Sequence, residues 1–356
     1  MKEDIKLYKL NFDSGFHIDS FGNQMYSKSQ KFIHSDTLSS ALISFWATQK
    51  PESFEEFIKD PPFLLSSAFP FFDNIFFFPV IKGKSLLSKD SKDNKAFKKV
   101  KKIEFIAYDL WEKLLKNPSL YLESINNQDD TFSLPLSSKE YKVYSSFLVP
   151  KNTFPEKKDF EKVYKEEKNT RTSVNRLSNK VEEAEEGNLF QFSTTRYSSK
   201  KKAGLYFLVK FSSSKVKSDF EFLLSLLGDT GIGADKSSGK GQFSFEEVDC
   251  PIKQFYSDEP SFAYNCSLFS PSIKELEDKS WIQKSKYELI RRRGWIHNYS
   301  FRKKSIFMFK EGSCFPISKE NSLKGEMKDV SPDLKQLDHK IYRDGRAFFI
   351  YFKRKD

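Results

Sequence analysis

The chain has 356 residues, 60 Lys and Arg against 49 Asp and Glu, and a net charge of +11. That length favours two domains, and the basic excess with 38 Phe and 15 Tyr points to nucleic acid, which takes phosphate neutralisation together with base stacking. Cys250, Cys266 and Cys314 are widely spaced with no Cys-x-x-Cys, the opening MKEDIKLYKL has no secretory core, and no apolar run is long enough to span a bilayer; neither a disulfide scaffold nor a zinc site is suggested, no membrane role is expected, and a cytoplasmic protein is expected.

Ile5 to Phe12 reads as a strand, and Gly15 to Lys31 as a polar loop that contains His17. His34-Ser35-Asp36-Thr37 opens a helix with Leu38, Ala41, Leu42, Phe45 and Trp46 on one face, and Ser35 or Asp36 is the expected N-cap. Asp60-Pro61-Pro62 breaks a short helical segment, and Ser66 to Pro70 leads into a Phe-rich strand over Asn74 to Ile81. Phe97, Val100, Ile103, Ala107, Leu110, Trp111 and Leu114 recur at helical spacing, with Lys98, Lys99, Lys101 and Lys102 as a solvated face. Residues 141–197 are polar and poor in apolar periodicity, so an insertion outside the core is expected there. It carries a basic half (Arg171, Arg176, Lys180), an acidic half (Glu182, Glu183, Glu185, Glu186) and Gly187, which read most simply as a surface loop.

Leu205 to Phe211 is a strand, Phe220, Leu223, Leu224 and Leu227 mark a helix, and Phe243 and Phe245 mark another strand. Between helix and strand, GDTGIGADKSSGKGQFSF sets Gly231, Gly233, Gly239 and Gly241 around Asp235, Lys236, Ser237, Ser238 and Lys240. Glycine permits left-handed backbone and close approach, and successive exposed amides with lysines form an anion-binding concavity. The spacing fails the Walker pattern, and the helix-to-strand order is the reverse of the dinucleotide fingerprint, so neither ATP nor NAD is implied and no cofactor is expected. A grip on a phosphate backbone remains.

Around the insertion, residues 1–249 give the ferredoxin-like βαββαβ order. Past Cys250-Pro251, strands at Phe262 to Phe269, Arg291 to Trp295, Phe301 to Phe309 and Ala347 to Phe352, with a short helix from Pro271, suggest a second cycle. The expected fold is α+β: two ferredoxin-like (RRM-like) βαββαβ domains, residues 1–249 and 250–356, with an inserted region at about 141–197 in the first.

Several segments converge on one family: Asn11-Phe12-Asp13-Ser14-Gly15-Phe16-His17-Ile18, Ile33 to Leu38, Leu65 to Pro70, Asn175-Arg176, Glu185 to Phe190, the Gly231 to Gly241 loop, and His339 to Phe349. In this ordered set the chain resembles the RAMP-superfamily subunit of type III-A CRISPR effector complexes that caps the 5′ handle of the guide RNA (the fourth-named subunit of the Csm series, Cas-five group). The resemblance implies two ferredoxin-like domains and no catalysis. The implied partners are the crRNA 5′ handle, the large subunit bearing the polymerase-like cyclase, the backbone RAMP subunit, and target RNA near the handle junction. It also implies a protruding thumb, matched here by Arg171 to Tyr197. The expected RNA contacts are Gly231, Gly233, Lys236, Ser237, Ser238, Gly239, Lys240 and Gly241 in the loop, His17 beside the first strand, Ser35 at a helix N-terminus, and Arg171, Asn175, Arg176 and Arg196 in the thumb.

Two other readings compete. Related RAMP proteins include metal-independent endoribonucleases that use histidine as acid or base, and His17 is the histidine in a loop expected to face RNA. His34, Ser35 and Asp36 are adjacent and cannot form a triad, whose members meet from separated segments. Asp229 and Asp235 flank the glycine loop without a third acid for a metal pair. The other competing reading is a purely protein-bridging subunit with an incidental basic loop.

Overall fold

The computed structural model describes residues 5–19, 26–88, 94–117, 119–126, 131–135, 139–172, 189–252, 260–296, 301–317, 323–333 and 339–353. Ile5–Phe12 forms the predicted strand, antiparallel to Ala203–Phe211 on one side and Phe243–Val248 on the other. Ala203–Phe211 then pairs with Phe69–Phe72 and, further along, with Phe63–Leu65. The helices Ser35–Gln49 and Ser214–Thr230 pack on each other, and Phe220 meets Tyr8, Phe63, Phe207 and Phe211 of the sheet. The spatial order is therefore Phe243–Val248, Ile5–Phe12, Ala203–Phe211, Phe69–Phe72, with a helix after the first and after the third of these strands in chain order.

The Phe-rich strand forms at Ile75–Pro79 and pairs as a hairpin with Phe69–Phe72, turned at Asp73, whose φ is +54°. Two expectations about the first half need correction. The helix expected from Phe97 to Leu114 is broken into a helix Asn94–Val100, a strand Phe105–Ala107 and a helix Tyr108–Lys116. Phe105, Ile106 and Ala107 are all buried between Ile75–Pro79 and Phe147–Pro150, so a short apolar run was hidden inside a helical period. Residues 141–197 are also not wholly outside the core. Glu140–Tyr144 and Phe147–Pro150 extend the main sheet, and Tyr141, Phe147, Leu148, Val149 and Phe160 are buried in it.

What stands apart from the main sheet is narrower: the antiparallel arm Tyr164–Thr172 and Leu189–Tyr197, nine residues on each side, paired from Tyr164↔Tyr197 to Thr172↔Leu189. Its far positions are exposed, Leu189 at 67%, while Phe192, Ser193, Thr194 and Thr195 are buried against the body. Nine residues at ~3.3 Å each make a strand of about 30 Å.

The second half carries a three-stranded antiparallel sheet, Cys314–Pro316, Phe262–Asn265 and Phe349–Phe352, and a two-stranded hairpin, Leu289–Arg292 with Ile306–Phe309. Among its described residues the helices are a five-residue turn, Ser280–Lys284, and a 3-10 turn, Lys274–Leu276. These elements do not draw the expected second βαββαβ unit, because neither piece is long enough to cover a sheet face. The halves also share a core. Tyr264 packs against Trp111, which stacks on Phe78 at 4.2 Å, and its hydroxyl donates to the Pro79 carbonyl at 2.5 Å. No helix among the described residues is long and apolar enough to cross a membrane.

Candidate nucleic-acid interface

The glycine loop leaves the helix Ser214–Thr230 at Gly231 and folds against the exit of the first strand. Gly231, Gly233, Gly239 and Gly241 have φ of +84°, +100°, +72° and +76°, and Asp235 is left-handed at +66°. A Cβ on Gly233 would lie 2.3 Å from the His17 carbonyl oxygen, and one on Gly241 would lie 2.1 Å from the Ile232 carbonyl oxygen. Three hydrogen bonds fix the loop: Ala234 amide to His17 carbonyl at 2.9 Å, Gly241 amide to Gly15 carbonyl at 3.2 Å, and Ser14 hydroxyl to Gly239 carbonyl at 2.6 Å. So Gly233 and Gly241 answer first to the loop's own packing, whereas at Gly239 a Cβ would meet only the Gln242 amide oxygen, at 3.7 Å. Lys236, Ser237 and Ser238 are exposed at the crest. The amides of Gly233, Asp235, Lys236 and Ser237 make no hydrogen bond among the described residues. Free amides beside unpaired lysines are what an anionic backbone binds.

A charged clamp joins the arm to this loop. Arg171 donates from Nη1 to Asp235 Oδ2 at 2.7 Å, and its guanidinium lies 4.1 Å over the Phe192 ring. Arg196, on the opposite strand of the arm, is 3.7 Å from Glu167. The Glu167 carboxyl is held below its ordinary value by a hydrogen bond from Lys165 first, then by Arg196, Lys165 and Lys240 against the opposing effect of burial. Lys240 therefore shares the arm's charge field. Of the predicted residues, Arg171, Arg196 and the loop come together on one face; Asn175 and Arg176 lie outside the described residues. Arg171→Ala is expected to remove about 1 kcal/mol, a half-exposed ion pair plus a stacked cation. The change in melting temperature should stay within about 4 °C, while the amides of Asp235 to Ser238 exchange markedly faster. Unchanged exchange there would show that the clamp does not hold the loop.

Two predicted contacts are placed differently. His17 is 1% exposed rather than facing out. Its Nδ1 donates to the Ser193 carbonyl at 2.7 Å and its ring packs on Phe192 and Tyr26, so it joins the middle of the arm to the body beneath the glycine loop. Ser35 is buried as well: its hydroxyl accepts from the Leu268 amide and its own amide donates to Ser67 Oγ, both at 2.8 Å. The second half covers this helix N-terminus, which removes it as an open phosphate seat. Neither Ser35 nor Asp36 caps; the N-cap is His34, without a side-chain bond.

Asp36 instead anchors a buried cluster. Arg292 grips it from Nε and Nη2, both at 2.9 Å, and Arg343 Nη1 donates to the same carboxylate. Burial alone would raise the Asp36 carboxyl; Arg292 and then Arg343 outweigh it and hold the group well below the usual carboxylate range. Next to it, His34 Nδ1 lies 2.8 Å from Glu311, and Ser67 donates to the same oxygen. These partners stand hundreds of positions apart, so no local pattern could have announced them.

The acid–base capacity of this face is small. His17 and His34 are both buried and engaged, and His297 lies outside the described residues. Among the described residues no group of three or more His, Cys, Asp or Glu side chains is placed to hold a metal.

A large, mainly antiparallel sheet with two helices, a glycine-rich loop before its edge strand and a separate two-stranded arm define the class. The chain belongs to the RAMP superfamily, whose model matches residues 26–244. Residues 260–352 match the CRISPR Csm4 C-terminal domain, so the whole is a Csm4-like RAMP subunit. No curated protein sequence matches significantly. Among solved structures, the chain is similar to one in the Csm3–Csm4 subcomplex of the type III-A CRISPR-Cas interference complex, with TM-score 0.62, 18% identity, and coverage of 98% of this chain and 99% of that one. It is also similar to a chain in the Csm1–Csm4 cassette in complex with cA4 (TM-score 0.56, 14% identity, 99% and 100% covered) and to one in the same cassette with pppApA (0.55, 14%, 99% and 100%). At these identities the likeness is one of fold.

Proposed function

We propose that this protein is the noncatalytic subunit of a type III-A CRISPR interference complex that holds the repeat-derived 5′ handle of crRNA. It would bridge the large cyclase-bearing subunit and the backbone RAMP filament. The observation that carries the reading is the glycine loop itself: unbonded amides and exposed Lys236, Ser237 and Ser238, clamped through Asp235 to Arg171 near the far end of the arm. Gly231, Gly233, Gly239 and Gly241 shape that grip, Lys236 and Lys240 neutralise phosphate, and Arg171 and Arg196 extend the basic face. The arm is the thumb, reaching target RNA near the handle junction. The first half is a ferredoxin-like unit with the sheet extension and thumb inserted between its second and third strands. His17 and Ser35 act as supports beneath the RNA rather than contacts. The partner assignment draws on the crystallised assemblies, in which Csm4 is found with Csm3 and with Csm1. Burial of His17 and His34 favours a scaffold over a histidine-dependent nuclease.

The test is salt-dependent binding of the purified chain to handle RNA and to a scrambled RNA in chelator. Handle preference, intact RNA and a steep salt slope support the reading; cleavage, or no RNA binding, would overturn it. Lys236→Ala/Lys240→Ala is expected to weaken handle binding at least tenfold and to lower the salt slope by about 1.4, at ~0.7 per phosphate on a single strand. Neither lysine has an ion pair among the described residues, so folding should be unaffected. Full affinity in the folded double variant would remove the loop from the interface.

A further inference from the structure

From Arg291 to Lys304 the sequence RRRGWIHNYSFRKK contains six Arg and Lys and no Asp or Glu. Its described residues fall on the C-terminal hairpin, Leu289–Arg292 with Ile306–Phe309, extended by the bridge Trp295↔Arg302. On its outer face Arg291 stands opposite Phe307, which is 65% exposed, and Leu289 is 48% exposed. Trp295 is also exposed, with the Arg302 guanidinium 4.7 Å over its ring. Arg291 donates from Nε and Nη2 to the Ser305 hydroxyl at 3.2 and 3.0 Å. Neither Arg291 nor Arg302 has a carboxylate partner among the described residues.

The inner side has the same imbalance. Arg292, Arg343 and Lys303 share one close carboxylate, Asp36. The surrounding acids are occupied: Glu311 by His34 and Ser67, Asp344 by Arg346 and Ser39. Asp19 reaches Arg292 only through its field. Arg343 Nε is buried without a partner, and Lys303 has no ion pair among the described residues. Burial pushes the Lys303 ammonium down to about 8, with Arg343 and Arg292 adding to the effect and Asp36 opposing it. A partly buried cationic group with too few anions calls for one from outside.

We propose that this hairpin is a second single-stranded RNA contact, in which Phe307 and Trp295 offer faces to bases and Arg291, Arg302 and Lys303 take phosphates. The proposal rests on the reading of the chain as a guide-RNA subunit, and it extends the RNA path beyond the glycine loop. Residues 17–19 connect the two: the His17 carbonyl accepts from Ala234 of the loop, and Asp19 acts on Arg292 at the hairpin. Unpaired guanidinium groups interleaved with exposed aromatics suit a single strand, whose phosphates take the cations while its bases stack on the rings.

The test uses the full chain and fluorescein-labelled U20 RNA, with anisotropy followed across KCl concentrations. Arg291→Ala/Arg302→Ala should bind about tenfold more weakly, with the slope reduced by about 1.4. Phe307→Ala should weaken binding about tenfold through lost stacking, with the slope unchanged. Lys303→Met should weaken binding and yet raise the melting temperature of the free protein, an opposition that a purely structural lysine would not give. Folded hairpin variants with full affinity and slope would overturn the proposal. So would variants that keep RNA affinity but lose their partner subunits, which would make the hairpin a protein interface. If the unmodified chain binds neither handle RNA nor U20, the guide-RNA reading itself fails; if it binds handle RNA and only the hairpin variants are silent, that reading stands and this inference alone falls.

Discussion

Asp36→Ala is expected to destabilise the folded chain by about 3–5 kcal/mol, because it strands Arg292 and Arg343 as buried, unpaired charges. Most of that loss reflects the abandoned cations rather than the worth of the pair. The triple variant Asp36→Ala/Arg292→Met/Arg343→Met should therefore recover most of the stability, since apolar groups of similar size need no counter-charge. Urea unfolding of the single and triple variants decides it; a single variant within 1 kcal/mol of the parent would show that the cluster is not desolvated. The same carboxylate predicts acid sensitivity. Its folded value is depressed, so its contribution is complete above the unfolded carboxylate value of about 4 and is lost as pH falls through lower values. Melting temperature should drop more steeply between pH 5 and pH 2 in the parent than in the triple variant.

Gly233→Ala is the second large effect. The residue sits at φ +100°, and its new Cβ would be 2.3 Å from the His17 carbonyl oxygen, a backbone atom that cannot step aside. Strain and displacement together should cost about 2 kcal/mol and break the Ala234-to-His17 hydrogen bond that seats the loop. Handle RNA affinity is expected to fall at least as far as in the Lys236→Ala/Lys240→Ala variant, since amides and lysines move together. Gly239→Ala is the matched control: φ is +72°, but its Cβ would find only the Gln242 amide oxygen at 3.7 Å. It should carry the left-handed strain of about 1 kcal/mol and keep most of the RNA binding. Equal RNA loss in both variants would mean that backbone conformation, and not the seat on residues 15–18, governs the site.

Where structure depends on neighbours in the chain, the sequence was sufficient. Ile5–Phe12 was legible as a strand, the helical spacing of Phe220, Leu223, Leu224 and Leu227 defined the helix Ser214–Thr230, and the four glycines marked a loop that does take positive φ at each of them. The ordered motifs reached the superfamily, whereas only the hairpin shows which side chains from Arg291 to Lys304 share its outer face. Tertiary structure decided the rest. It broke the helical period at Phe105–Ala107 by inserting that run between two strands, and drew Tyr141 to Val149 into the sheet. It buried His17 under the glycine loop and the arm, and closed the helix N-terminus at Ser35 with the second half of the chain. The Asp36 cluster joins residues 256 and 307 positions apart, a separation over which side-chain periodicity carries no information. Backbone conformation and amphipathic faces are set within a few residues, so they can be read locally; burial and charge pairing depend on which distant surface arrives, and only the folded chain fixes that.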